Sequence, residues 1–169
     1  MIDAARLMAP LVRRFEGLHK LVAGLVFPYI CPAGYWTQGY GLLVKDGKAP
    51  PITVAEAEVR VEGAMPGYIA QTLRLCPRLA NEPPERLAAI ADFTFNLGAG
   101  RLKVSTLRRR VNEGDWDAVD RELRKWTRGG GRVLPGLVLR REAEIALMRG
   151  AGGVQAPAGG AIGGRPVGR

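Results

Sequence analysis

Tyr29-Ile-Cys-Pro-Ala-Gly-Tyr-Trp-Thr-Gln-Gly-Tyr-Gly41 is the stretch whose reading decides the fold. Cys31-Pro-Ala-Gly34 has the composition of a tight turn. The aromatic and β-branched residues on either side of it favour strands. Gly24, Pro28, Pro32, Gly34, Gly39 and Gly41 forbid a long helix anywhere in residues 18–46. The stretch therefore predicts a small antiparallel sheet of two or three strands.

On the N-terminal side, residues 3–15 read as a helix. Asp3 is placed to cap it, and Leu7, Leu11 and Phe15 share one face, with Met8 and Val12 beside them. The pattern stops at Glu16-Gly17. On the C-terminal side, the chain reads as helical from Thr53 almost to Gly150. Thr53-Val-Ala-Glu56 is a capping box, and Pro66 predicts the start of a further short helix. Pro83-Pro84 opens a strongly apolar helix that ends at Gly98. Ser105–Glu113 and Asp115–Thr127 are two more helices, split by Gly114. Gly129-Gly-Gly131 reads as a flexible break, and Pro135–Arg149 as the last helix. Residues 151–169 are mostly Gly, Ala and Pro, too poor in apolar side chains to offset their ordering entropy. The expectation is one domain over 1–150 with a flexible tail over 151–169.

These elements predict an α+β architecture. An N-terminal helix and a small β-hairpin lobe pack against a larger helical lobe, with a cleft between them. Such junctions are common ligand sites. Glu16 ends the first helix just before the sheet, at the expected mouth of that cleft. The negative end of the helix dipole and partial burial both favour a protonated carboxyl there, which suits a general acid. Read on position alone, Glu16 fits a surface glutamate on a helix end better than an acid.

The net charge is +9 over 169 residues. It is uneven: residues 101–149 hold 13 Lys/Arg against 7 Asp/Glu. The excess favours an anionic partner, whether nucleic acid, a membrane surface or a cell-wall polymer. Arg108-Arg-Arg110 and Arg140-Arg141 read either as solvated helix faces or as contacts to such a polymer. Two cysteines, Cys31 and Cys76, with a single histidine, His19, make no metal-ligand spacing and no disulfide framework. No metal or other cofactor is expected. Arg6, Arg13 and Arg14 interrupt the N-terminal segment, so no signal peptide is read. The longest apolar run, residues 21–30, contains Gly24 and Pro28 and is far short of the roughly 20 residues that span a bilayer.

The hairpin resembles that of the phage lysozyme (endolysin) family, the family-24 glycoside hydrolases. That family has a Glu-Gly pair after its first helix, then an Asp or Cys in a turn, then a Thr in a Thr-x-Gly-x-Gly strand. Here these are Glu16-Gly17, Cys31, and Thr37-Gln38-Gly39-Tyr40-Gly41. The resemblance continues through Phe93-Thr-Phe-Asn-Leu-Gly98, Ser105-Thr-Leu107 with Asn112-Glu-Gly-Asp115, Trp126, Gly130–Leu137 and Arg140-Arg-Glu-Ala-Glu144. It covers about residues 3–149.

The resemblance implies a lysozyme fold and hydrolysis of the β-1,4 bond between N-acetylmuramic acid and N-acetylglucosamine in peptidoglycan. Glu16 would be the acid, and Cys31 and Thr37 would place the attacking water. Leu43, Phe95 and Thr106 would line the sugar cleft. Asn96 would support a helix junction. Trp126 reads as a stacking surface for a sugar or, in preference, as core. A thiol is a poor substitute for a carboxylate base, so Cys31 is expected to orient water or accommodate the sugar; read apart from that, it equally fits a small residue in a tight turn. Asp92 reads either as a second carboxylate or as a solvent contact.

The sequence departs from the family pattern in two places. Fourteen residues separate Glu16 from Cys31, against eight in the family, which implies an extra turn or a lengthened strand within 19–30. Leu42 stands where the family often has His. The implied partners are the wall, an anionic wall or outer-membrane polymer, and a separate holin. The implied state is a monomer held in the host cytoplasm until it is released to the periplasm and wall. Two other classes stand beside this one: a basic nucleic-acid-binding helical protein, and an inactive wall-binding module. The first lacks a stacking platform, and the second would be marked by loss of the acid.

Overall fold

The computed structural model describes residues 2–31 and 34–150. Helix α1 spans Ile2–Glu16 and places Glu16 at its last position, as the sequence predicts. The next stretch builds two small sheets instead of one. β1 (Leu21–Val22), β2 (Leu25–Val26) and β6 (Ile52–Thr53) pair antiparallel in the order β1-β2-β6. β3 (Tyr29–Ile30), β4 (Trp36–Gln38) and β5 (Leu42–Leu43) pair in the order β3-β4-β5. The residues that widen the gap between Glu16 and Cys31 thus form an additional hairpin. Its turn places Ala23 (φ 49°) and Gly24 (φ 79°) in the left-handed region, the geometry that suits a two-residue hairpin loop.

Gln38 joins the two sheets. Its buried amide donates to the carbonyl of Val26 on β2 at 3.0 Å and to that of Pro50 at 2.9 Å. Its oxygen accepts from Arg60 Nη1 at 3.0 Å. Strands of two residues bury little apolar surface, so these polar ties hold together what packing alone would not.

Helix α2 (Val54–Leu75) opens on the predicted capping box. Glu56 N donates to Thr53 Oγ1 at 3.2 Å, and Thr53 N donates to Glu56 Oε2 at 2.7 Å. The backbone and side-chain hydrogen bonds from Thr53 hold the Glu56 carboxyl below its usual range. Pro66 does not start a new helix; it lies inside α2. Proline leaves the carbonyl four residues earlier unpaired, and here both Pro66 and Glu62 are exposed, so water can satisfy it.

A 3-10 turn (Pro77–Asn81) leads to α3 (Pro84–Leu97). Eight consecutive residues of α3, Leu87 to Thr94, are buried, and the helix packs on α1, on α2 and on the last helix. Inside this core the Thr72 and Thr94 hydroxyls meet at 2.8 Å, beside the carbonyls of Tyr68 and Ile90.

α4 (Ala99–Lys103), α5 (Thr106–Glu113) and α6 (Trp116–Leu123) follow. Ser105 and Asp115 cap α5 and α6 with their side chains. Helix α6 stops four residues short of its predicted end at Thr127. The glycines at 129–131 make a turn instead of a loose break, joining β7 (Arg128–Gly129) to β8 (Arg132–Val133). α7 (Pro135–Met148) closes the fold. The predicted tail, 151–169, lies outside the described residues, as do Pro32 and Ala33 of the predicted turn. Cys31 and Gly34 close that turn with a backbone hydrogen bond of 2.8 Å.

No helix among the described residues is long and apolar enough to cross a membrane. Cys31 and Cys76 are free thiols. Burial pushes the Cys76 thiol up to about 11, which keeps it protonated and inert near neutral pH.

Candidate active site

The end of α1, the end of α3 and the start of α7 wall a hollow of about 230 Å³. Phe15, Glu16, Asn96, Leu134, Gly136, Leu137 and Arg140 line it. Glu16 is partly exposed here, with 24% of its side chain open. Its two oxygens face different lobes. Oε1 accepts from Arg140 Nη1 at 2.5 Å. Oε2 faces Gly41 in the hairpin lobe, where a side-chain carbon would sit 3.5 Å away. Gly41 has φ +82°, so its turn requires glycine whatever space surrounds it.

Beside the helix end and the partial burial stands a guanidinium that nothing near Glu16 in the chain announces. Arg140 and Arg141 are not solvated helix faces: both are buried. Amphipathic spacing turns this side of α7 inward, and four buried ionisable groups meet there: Arg140, Arg141 and Glu144 of α7 with Asp92 of α3. Arg140 Nε and Nη2 grip Asp92 Oδ2 and Oδ1 at 2.8 and 2.9 Å. Arg141 Nη2 lies 2.7 Å from Glu144 Oε1 and donates to Asn96 Oδ1 at 2.9 Å. Asp92 is fully buried, so the solvent-contact reading of it fails.

Burial works against the Arg140 charge. The carboxylates of Asp92 and Glu16 more than offset it, so its pKa lies above the usual arginine value. Burial lowers Arg141, with Glu144 opposing and the Arg140 charge adding to the shift. Burial also raises Glu144 well above the carboxylate range. Arg141 opposes that shift, and the charge and hydrogen bonding of Asp92 reinforce it.

Thr37 is buried in the central strand β4, and its hydroxyl donates to the Tyr29 carbonyl at 3.3 Å. Cys31 is half-buried at the mouth of the turn beyond β3. Leu43 is 72% exposed on β5. Thr106 is exposed at the first position of α5. Phe95 packs edge-on against Tyr68 with ring centres 4.8 Å apart. None of Leu43, Phe95 and Thr106 walls the hollow itself. Asn96 ties α3 to α7 as expected, and Trp126 packs edge-on against Phe93 at 5.4 Å, in keeping with a core role.

Sequence reasoning missed Tyr68 and the role of Arg140. Burial, and after it the charge of Glu16, raise the Tyr68 phenol, so this ring on α2 sits within the field of the carboxyl. The signal for Arg140 was present in the sequence: an arginine at the same helical phase as the apolar residues of α7 faces inward and must be paired there.

A phage lysozyme family model matches residues 14–144. The endolysin of Acyrthosiphon pisum secondary endosymbiont phage 1 is 35% identical over 147 residues, covering 83% of this chain and 94% of the relative. The SAR-endolysin of Bacteriophage PS119 is 36% identical over 118 residues, covering 69% of this chain and 70% of its own. Among solved structures, the muramidase domain of SpmX from Asticaccaulis excentricus matches with a TM-score of 0.70 at 26% identity, covering 85% of this chain and 95% of that one. The active form of P1 phage endolysin Lyz matches with the same TM-score at 22% identity over 86% and 84% of the two chains, a likeness of fold. Carrying the Glu-Gly helix end, the Thr-x-Gly-x-Gly strand and the buried arginine helix in one lysozyme-like fold, the chain belongs to the phage lysozyme family.

Proposed function

We propose that the protein is an endolysin, a muramidase that hydrolyses the β-1,4 bonds between N-acetylmuramic acid and N-acetylglucosamine in peptidoglycan and so lyses the host. The observation that carries this reading is Glu16: a carboxyl at the end of α1, open to the hollow, with Arg140 on one oxygen and the hairpin lobe facing the other. In this mechanism Glu16 protonates the leaving glycosidic oxygen, and water attacks the sugar from the opposite face. Cys31 and Thr37 hold that water from the hairpin lobe. Leu43, Phe95 and Thr106 contact the glycan beyond the hollow. Residues 1–150 form the catalytic unit.

The enzyme acts as a monomer on the wall, assisted by its positive charge on anionic wall or outer-membrane polymers. It waits in the host cytoplasm until a separate holin opens the way to the periplasm. The test uses isolated peptidoglycan and permeabilised Gram-negative cells. Wild type is expected to release reducing ends and to clear the cells, and Glu16→Gln is expected to do neither. Equal activity of the two proteins would sink the assignment. Product analysis then separates hydrolysis from the anhydro-sugar products of a transglycosylase.

A further inference from the structure

The guanidinium of Arg140 is planar, and its nitrogens are fixed relative to one another. Once two of them are held, the direction of the third is set. Asp92 holds Nε and Nη2 at 2.8 and 2.9 Å from a position with no solvent exposure. The third nitrogen, Nη1, then points at Glu16 Oε1. An oxygen that accepts an N–H bond at this distance has no room for a proton directed along the same line. The other oxygen, Oε2, carries no hydrogen bond among the described residues and faces Gly41 across the cleft.

We propose that Asp92 is a positioning residue which, acting through Arg140, assigns the acid proton of Glu16 to Oε2, the oxygen turned toward the hairpin lobe. This rests on Glu16 being the general acid.

The surroundings of Asp92 favour the role. From α7 it faces Arg140, Arg141 and Glu144. Across Arg140 lie Glu16 on α1 and, within reach of the Glu16 charge, Tyr68 on α2. Neither Glu144 oxygen accepts an aligned hydrogen bond, and burial with the neighbouring Asp92 charge keeps this carboxyl protonated well above its usual range. The side chain of Arg140 also lies 5.7 Å from the Phe15 ring, which limits its swing on the cleft side.

The experiment measures kcat and KM on isolated peptidoglycan for wild type, Asp92→Asn, Arg140→Lys, the double variant and Glu16→Gln, each first shown to melt cooperatively. Asparagine offers one acceptor where Asp92 offers two, so the guanidinium is released on one side. A displacement of a catalytic group by an ångström costs up to about a hundredfold. Asp92→Asn is therefore expected to lower kcat about tenfold or more while KM stays within about twofold. Lysine keeps the charge but cannot hold Asp92 with two nitrogens and Glu16 with a third, so Arg140→Lys is expected to lose a similar factor. If Asp92 acts only through Arg140, adding Asp92→Asn to Arg140→Lys changes kcat no further.

An undiminished kcat in Asp92→Asn overturns the proposal, and so do losses that multiply in the double variant. Should Asp92→Asn fail to melt cooperatively, Arg140→Lys decides alone: a tenfold loss in kcat at constant KM supports the clamp, and full activity overturns it. An active Glu16→Gln would instead overturn the reading of Glu16 as acid, and the proposal with it.

Discussion

Replacing Glu144 by glutamine changes one buried oxygen for a nitrogen and removes one titration. Glu144 has no solvent exposure, and it is held protonated well above its usual range by burial and by Asp92, against the opposing charge of Arg141. In the unfolded chain the same carboxyl releases its proton near pH 4.5. A group whose folded pKa is raised binds its proton more tightly in the native state. Its contribution to stability is complete below the unfolded value and is lost as pH rises toward the folded one. Glutamine has no such slope. Across the window just above the unfolded pKa, wild type is therefore expected to lose about 1.4 kcal/mol per pH unit relative to Glu144→Gln. For a chain of this size that corresponds to about 3–6 °C in Tm per pH unit. The assay is thermal melting of both proteins in matched buffers at pH 5.0, 5.5 and 6.0, and the quantity read is the difference between their Tm values. Carboxylates elsewhere contribute equally to both proteins and cancel. If the difference stays constant across this range, or moves toward wild type as pH rises, Glu144 is ionised in the native state and the reasoning fails.

Other consequences can be checked as directly. Gly114 adopts φ +76° at the end of α5, and a side-chain carbon there would meet the Arg78 guanidinium at 2.5 Å; Gly114→Ala is expected to cost about 1–3 kcal/mol in urea denaturation, and a loss below ~0.5 kcal/mol would contradict the strain. Gln38→Leu is expected to cost about 2–4 kcal/mol because it leaves two carbonyls and Arg60 unsatisfied; a variant of wild-type stability would mean that water replaces the amide. Cys31→Ser should keep far more lytic activity than Glu16→Gln, since a hydroxyl can hold water where a thiol does; equal and complete loss would make the thiol itself essential.

The helices were legible where their ends carry chemistry. Thr53 with Glu56, Ser105, Gly98 and Gly114 mark boundaries that local hydrogen bonds or a left-handed residue enforce. Pro66 misled because a proline's cost depends on whether the freed carbonyl reaches water, which the sequence does not display. The hairpin lobe was legible in kind but not in count. Strands of two residues are too short for alternation to emerge, and Ala23 in the left-handed region is not a residue that announces a hairpin turn. For the site, Glu16 was found by its neighbours along the chain. Its partner Arg140 lies 124 residues away, and the doublet Arg140-Arg141 looks like surface charge until α7 is docked. Asp92, one position before Phe93, read as a second carboxylate or a solvent contact; buried in an apolar helix it needs a cation beside it, and Arg140 supplies that only once α7 is docked.

The amide of Gln38 has a consequence for how the lobe moves. Three acceptors and donors from β2, the loop before β6 and α2 converge on a single side chain. The two small sheets are thereby latched to each other and, through Arg60, to helix α2. Slack in one of the three reaches the other two, and the amides of both sheets are expected to share one opening rate in hydrogen exchange.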